Sequence, residues 1–158
     1  MSREKSLVHF ECAPNVKSLL YDEAVAEITS NCEGVELDTI QSLKFHTNTW
    51  GLSSCNSFAE NVMIKMVNIE QIDFSDTVKY KHRSDLCMSA RAILTQASDK
   101  KVTKLNMRDN DLESDGARAF VDFLKENKTL QILDLTSCNL GDKSAIMMQE
   151  GLESNPKL

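Results

Sequence analysis

The stretch Val102–Leu135, VTKLNMRDNDLESDGARAFVDFLKENKTLQILDL, decides the fold. It opens with Val102, Leu105 and Met107, spaced three and then two apart, followed by Asn110 and Leu112. Alternation around Leu105 and Met107 predicts a short strand. Those two side chains turn inward, while Asn106 and Arg108 face the other way. Asn110 then leaves the strand, where its amide can bond the peptide groups of the turning chain. Ser114 and Asp115 form the expected N-cap and first turn of a helix. Ala117, Phe120, Val121 and Leu124 supply that helix with one apolar stripe. The strand pattern begins again at Leu130. A unit of this length cannot bury its apolar side alone, so it requires neighbours stacked on both sides.

Those neighbours are legible. The same slots fall at Ile40, Leu43, Phe45 and Asn48, at Ile69, Ile72, Phe74 and Thr77, and at Leu130, Leu133, Leu135 and Cys138. The spacing is that of the long, helical class of leucine-rich repeat. The predicted architecture is an α/β solenoid, a crescent with parallel strands on its concave face and helices on its convex face. Its expected layout is an N-terminal cap at 1–39, then four repeats at 40–68, 69–101, 102–129 and 130–157. Leu7–Phe10 reads as a short strand of the cap and Leu19–Ile28 as its helix. Leu52–Met66, Ser84–Ala97 and Asp142–Ser154 are the other convex helices, and Met63, Met66, Met147 and Met148 take core positions on them. Thr77 and Cys138 stand in the asparagine slot and can make a weaker version of its bond. Leu158 would open a fifth strand, so the repeats are expected to be cut short there, the chain reading as a fragment of a longer protein, with a truncated isoform or a further chain covering the open end as the alternatives.

Composition removes several function classes. The chain has 158 residues, 41% of them hydrophobic, and a net charge of −6. That balance disfavours direct, sequence-independent nucleic-acid binding. No apolar run reaches membrane-spanning length, so no membrane insertion is expected. Five cysteines lie far apart without a CxxC pair, which reads as free thiols in a reducing compartment. The sequon Asn127-Lys128-Thr129 reads as a chance match. No phosphate loop, HExxH, GxSxG or metal-spaced cluster occurs, and His9, His46 and His82 are isolated. No catalytic residue, cofactor or metal is therefore assigned. The second repeat carries extra residues after Thr77, Val78-Lys79-Tyr80-Lys81-His82-Arg83, a basic and aromatic loop on an acidic chain. Loops that interrupt a repeat's rhythm sit on the strand-to-helix rim, where partners bind.

Four landmarks in order carry a resemblance: SLKFHTNTWG (Ser42–Gly51), IEQIDFSD (Ile69–Asp76), the basic loop directly after that Ser-Asp, and KLNMRDNDLESDGARAFVDFL (Lys104–Leu124). Over residues 37–158 the chain resembles the N-terminal part of the Ran GTPase-activating proteins. The resemblance implies a cytoplasmic regulator of nuclear transport, with the nuclear envelope as a second location. It implies an activator that docks by one rim on the GTP-bound form of a Ran-type small GTPase. Such an activator inserts no arginine of its own. It orients the catalytic glutamine that the GTPase already holds, which lowers a positional cost without new covalent chemistry.

The contact residues implied are Ser75, Asp76, Lys81, Arg83, Arg108, Asp109 and Ser137. Two columns differ from the family pattern. The arginine of its long loop falls at Lys81, with Arg83 two residues on, and its asparagine in the fourth repeat falls at Ser137, with Asn139 nearby. Lysine lacks the planar fork of arginine, and serine lacks the amide N–H of asparagine. The alternative reading is a protein-binding module without GTPase-activating activity, because Leu124–Leu135 also resembles tropomodulin-type actin-capping proteins and generic scaffolds.

Overall fold

A computed structural model describes residues 7–12, 29–30, 32–45, 50–77 and 83–158, with the side chains of 83–87 left aside. Its elements run β1 (His9–Cys12), β2 (Ser42–Phe45), α1 (Leu52–Asn61), β3 (Gln71–Asp73), α2 (Arg83–Ser98), β4 (Lys104–Asn106), α3 (Glu113–Glu126), β5 (Ile132–Asp134) and α4 (Asp142–Glu153). Short 3-10 turns stand at Leu37–Thr39 and Met63–Lys65. The strands form one parallel sheet in the order β1-β2-β3-β4-β5, so sheet order follows chain order. The register aligns the repeat slots: Leu43 pairs with Ile72, Ile72 with Leu105, and Leu105 with Leu133. β2, β3 and β4 are each followed by a helix that returns the chain to the next strand, and β5 is followed by α4. Strands pack about 4.8 Å apart and helices about 8–10 Å apart, so the sheet layer has to lie on the inside of the curve.

The slots behave as their spacing requires. Leu43, Phe45, Ile72, Phe74, Leu105 and Met107 are all buried between sheet and helices. Around Phe45 the core is aromatic. Its ring meets Trp50 at 4.9 Å, Phe58 at 5.2 Å and Phe74 at 4.6 Å, each edge to face, the arrangement that ring quadrupoles favour. Met63, Met66 and Met148 are buried and Met147 is partly so, which places these methionines in packing. Cys12, Cys32, Cys55 and Cys138 are free and buried. Burial pushes the Cys55 thiol up to about 12, with a Ser89 hydrogen bond opposing it.

Three local readings change. The first strand is His9–Cys12, shifted from Leu7–Phe10, and pairs with β2 from His9 opposite Ser42. The helix expected over Leu52–Met66 stops at Asn61, whose amide donates to the Ser57 carbonyl at 2.9 Å and competes with the helical ladder. A 3-10 turn follows, and its three-residue period puts Met63 and Met66 on the same, buried side. Ser114 lies inside the first turn of α3 rather than ahead of it, and that helix has no side-chain cap. Its turn is closed instead by Gly116 N–H to the Leu112 carbonyl at 2.7 Å. The helix expected at Leu19–Ile28, together with Asn48, His46 and His82, lies outside the described residues.

Asn110 shows why a polar residue belongs in the ninth slot. It is fully buried. Its amide nitrogen donates to the Phe74 carbonyl of the preceding repeat at 2.9 Å and to its own Met107 carbonyl at 2.6 Å. Its carbonyl oxygen accepts the Thr77 N–H at 3.0 Å. One side chain therefore satisfies peptide groups of two repeats. Cys138 does part of this work, its thiol donating to the Met107 carbonyl at 3.0 Å, while the Thr77 hydroxyl donates to the Ser75 carbonyl of its own loop at 2.9 Å.

Asn127 plays a matching part where helices return to strands. Its amide donates to the Lys100 carbonyl at 2.9 Å and its oxygen accepts the Thr129 and Leu130 N–H groups. A side chain buried and bonded in this way is closed to glycan attachment in the folded chain. Replacing Asn110 by Ala should strand the Phe74 carbonyl and the Thr77 N–H and leave the Met107 carbonyl to the Cys138 thiol, with an expected loss of about 2–4 kcal/mol. Urea unfolding measures it, and a loss below about 0.5 kcal/mol would contradict the staple described here.

Candidate functional site: the strand-to-helix rim

β3, β4 and β5 each end in a turn that lifts two residues onto the rim before the buried ninth slot. In the second repeat these are Ser75 and Asp76, in the third Arg108 and Asp109, in the fourth Thr136 and Ser137. The second member of each pair has a left-handed backbone: φ is 52° at Asp76, 59° at Asp109 and 56° at Ser137. None is glycine. Aspartate tolerates this region through its short polar side chain, and serine does so less readily. The conformation is held by neighbours. The Asp76 N–H donates to the Arg108 carbonyl and the Asp109 N–H to the Thr136 carbonyl, both at 2.9 Å.

The strand residue two positions before each pair's first member braces the turn. Asp73 accepts the Ser75 N–H at 3.0 Å and its hydroxyl at 2.6 Å. Asn106 accepts the Arg108 N–H at 3.1 Å and Asp134 the Thr136 N–H at 2.9 Å. These Asx turns make a column of equally built corners. Side-chain and backbone hydrogen bonds from Thr136 hold the Asp134 carboxyl below its ordinary range, helped by Arg108 and Lys104. Charge on the rim is mixed. Arg108 Nε lies 3.1 Å from Asp109 Oδ2, and one position beyond the ninth slot Asn139 donates to Asp111 at 3.0 Å.

The residues expected at the site thus divide. The structure brings Ser75, Asp76, Arg108, Asp109 and Ser137 into two adjacent columns along one rim. Lys81 and the Arg83 side chain lie outside the described residues, although Arg83 opens α2. Thr136 shares the column of Ser75 and Arg108 and was overlooked. The repeat alignment holds the signal, since Thr136 occupies the same slot. Asp73, Asn106 and Asp134 act on the rim from behind. Alternation places them on the concave face, but their bracing of the turn shows only in the folded chain.

The concave sheet beside the rim has a recess of 120 Å³ lined by His9, Ser42, Lys44, Asp73, Lys104 and Asn106, among others. This is well under the roughly 300 Å³ of a small-molecule site. Among the described residues no cluster of His, Cys, Asp and Glu could hold a metal ion, and no helix is long and apolar enough to cross a membrane. The site is an open edge of repeated corners, a geometry that suits another protein's surface better than a buried ligand.

Fold and rim together define a leucine-rich repeat protein. A family model described as "Leucine Rich repeat" matches residues 98–121 and 126–148. Beyond the repeat, the chain is similar to Ran GTPase-activating protein 1 of Xenopus laevis, 29% identical over 112 residues. That alignment takes in 67% of this chain and 19% of the Xenopus protein, so the chain spans about a fifth of the length of that relative.

The bracing of Asp134 gives a direct test. Thr136→Val removes the hydroxyl bond and should move the Asp134 carboxyl back towards the ordinary value of about 3.9. A depressed carboxyl stabilises the fold above its unfolded pKa, and that contribution fades as pH falls through the folded value. In a carbon-detected NMR titration, an Asp134 midpoint unchanged by the substitution would remove Thr136 as its cause.

Proposed function

We propose that the chain regulates a Ran-type small GTPase, docking on its GTP-bound form through the rim of Ser75, Asp76, Lys81, Arg83, Arg108, Asp109 and Ser137. The similarity to Ran GTPase-activating protein 1 over 67% of the chain carries this reading. The rim supports it physically. Three corners of one construction, those at Asp76 and Asp109 each bonded to the next repeat, present a pre-organised row of side chains. Pre-organisation lowers the ordering cost of binding. In this mechanism the rim contributes no general base, nucleophile or metal. It contacts the GTPase beside its catalytic glutamine and narrows that side chain to the rotamer that orients the attacking water. A cytoplasmic place of action, extending to the nuclear envelope, belongs to the same proposal.

Ser137 favours a second reading, binding without activation. Its side chain is short and exposed, and it offers a hydroxyl where an amide would reach further and donate twice. Single-turnover GTP hydrolysis on Ran separates the two. Under the activator reading the chain accelerates hydrolysis. Under the binding reading it binds GTP-loaded Ran without acceleration, and Ser137→Asn restores at least about tenfold in rate, while Ser137→Gly relaxes the same backbone but restores none. Absence of any binding to GTP-loaded Ran would sink both.

The basic loop has its own test. Charge reversal in the double variant Lys81→Glu/Arg83→Glu should weaken binding about tenfold or more and flatten its salt dependence, because steering charges act through a screened field. Unchanged affinity and slope would remove the loop from the contact.

A further inference from the structure

On the convex face α2 meets its two neighbours differently. Its Ala92 and Gln96 take the slots that Ala119 and Phe123 take in α3, one repeat on. Ala119 and Phe123 lie against α2 and are closed off, whereas Ala92 and Gln96 lie towards α1 and stay half-open. The result is a furrow of 290 Å³ between α1 and α2, lined by Leu52, Ala59, Glu60, Met88, Ala92 and Gln96, among others. Met88, Ala92 and Gln96 recur every fourth residue, so they follow one side of α2 for about 12 Å. A smaller furrow of 230 Å³ separates α2 from α3, but Phe123 closes its floor and the Arg91–Asp122 ion pair crosses it at 3.4 Å.

The walls of the larger furrow are apolar where the later repeats are polar. Met88 is 53% exposed and stands in the slot that Asp115 and Lys143 fill in α3 and α4. Leu52, half-exposed on the opposite wall, takes the slot of Ser114 and Asp142. A single exposed apolar side chain is ordinary, but two on opposite walls of one furrow make a contact edge. Methionine suits such an edge, because its unbranched thioether adapts to the shape of what it meets.

Charge selects the occupant. Arg91 is drawn across α2 to Asp122, away from the larger furrow. Glu60 on the α1 wall is exposed and forms no ion pair among the described residues. Asp122 and Glu126 add negative charge on the far side of α2. The surroundings of the furrow therefore favour a cation beside an apolar anchor. Its shape favours a helix, since side chains at i, i+4 and i+7 of an α-helix span about 10 Å along one face, close to the length of the Met88–Gln96 wall.

We propose that the furrow between α1 and α2 receives a basic amphipathic helix of a partner protein, its apolar side chains seated between Leu52 and Met88 and a lysine or arginine set against Glu60. The site is on the convex face, so it is independent of any GTPase contact at the rim. The probe is a synthetic helix-forming peptide of about 15 residues, with Phe and Leu at i, i+4 and i+7 and lysines on both flanks. Amide NMR of the 158-residue chain should show saturable shifts confined to α1 and α2, with a dissociation constant below about 1 mM. Met88→Asp, which installs the residue α3 carries in that slot, should weaken binding at least about tenfold. Met88 is exposed, so the thermal unfolding of that variant should be unmoved and serves as the folding control. Gln96→Phe should fill the furrow as Phe123 fills its own slot, raising the unfolding temperature and abolishing binding. Absence of shifts up to about 2 mM peptide would overturn the proposal, as would binding indifferent to Met88→Asp. Equal binding of a peptide flanked by glutamates, or of one broken by a central proline, would overturn it too. Concentration-dependent shifts of the same amides without peptide would make a second copy of the chain the occupant, and so refute a partner helix.

Discussion

A strand of three residues that turns at once leaves its last carbonyls and N–H groups facing the turns of its neighbours, away from water. Such groups need partners within the protein. Asn110 provides them for two repeats together, bonding the Phe74 and Met107 carbonyls and the Thr77 N–H. Everything on the rim depends on this. Once the ninth slot is pinned inside, the residues before it must rise to the surface. The chain makes that rise through the left-handed conformation at Asp76, Asp109 and Ser137.

The second constraint is apolar. Each repeat has one row of slots facing the helices and another facing solvent, and the parallel register keeps the rows aligned from β1 to β5. The aromatic group of Phe45, Trp50, Phe58 and Phe74 fills the seam between the second and third strands. Two asparagine columns, at Asn110 and at Asn127 with Asn155, hold opposite edges of the same slab. Burial and polar satisfaction therefore come from the same neighbour, which is why a single repeat is not a stable unit.

The rim is built like its relatives elsewhere in the repeat, and it differs in side chains alone. Arg108 with Asp109 makes one corner charged on both sides, and Ser137 makes another short and neutral. Any difference between the corners as contact surfaces must arise from those tips, because the backbone beneath them is shared.

Sequence by itself determined the repeat, the strand slots, the buried methionines and the role of Asn110, because these follow from spacing along one chain segment. It also placed Ser75, Asp76, Arg108, Asp109 and Ser137 on one rim, since a common register fixes which slots turn outward. The break of the first convex helix at Asn61, where that side chain bonds the Ser57 carbonyl and the next turn buries Met63 with Met66, shows only in the folded chain. The same holds for the uncapped start of α3 at Glu113, where the turn is closed through Gly116. Only the tertiary structure made Asp73, Asn106 and Asp134 braces of the corners, gave Asp76, Asp109 and Ser137 their left-handed backbone, and tied Asn155 to the Asn127 carbonyl of the preceding repeat. The physical reason is common to all three: each depends on where a carbonyl or N–H of a folded turn or a neighbouring repeat comes to lie. That position is a property of the stacked slab and not of the residues in the segment.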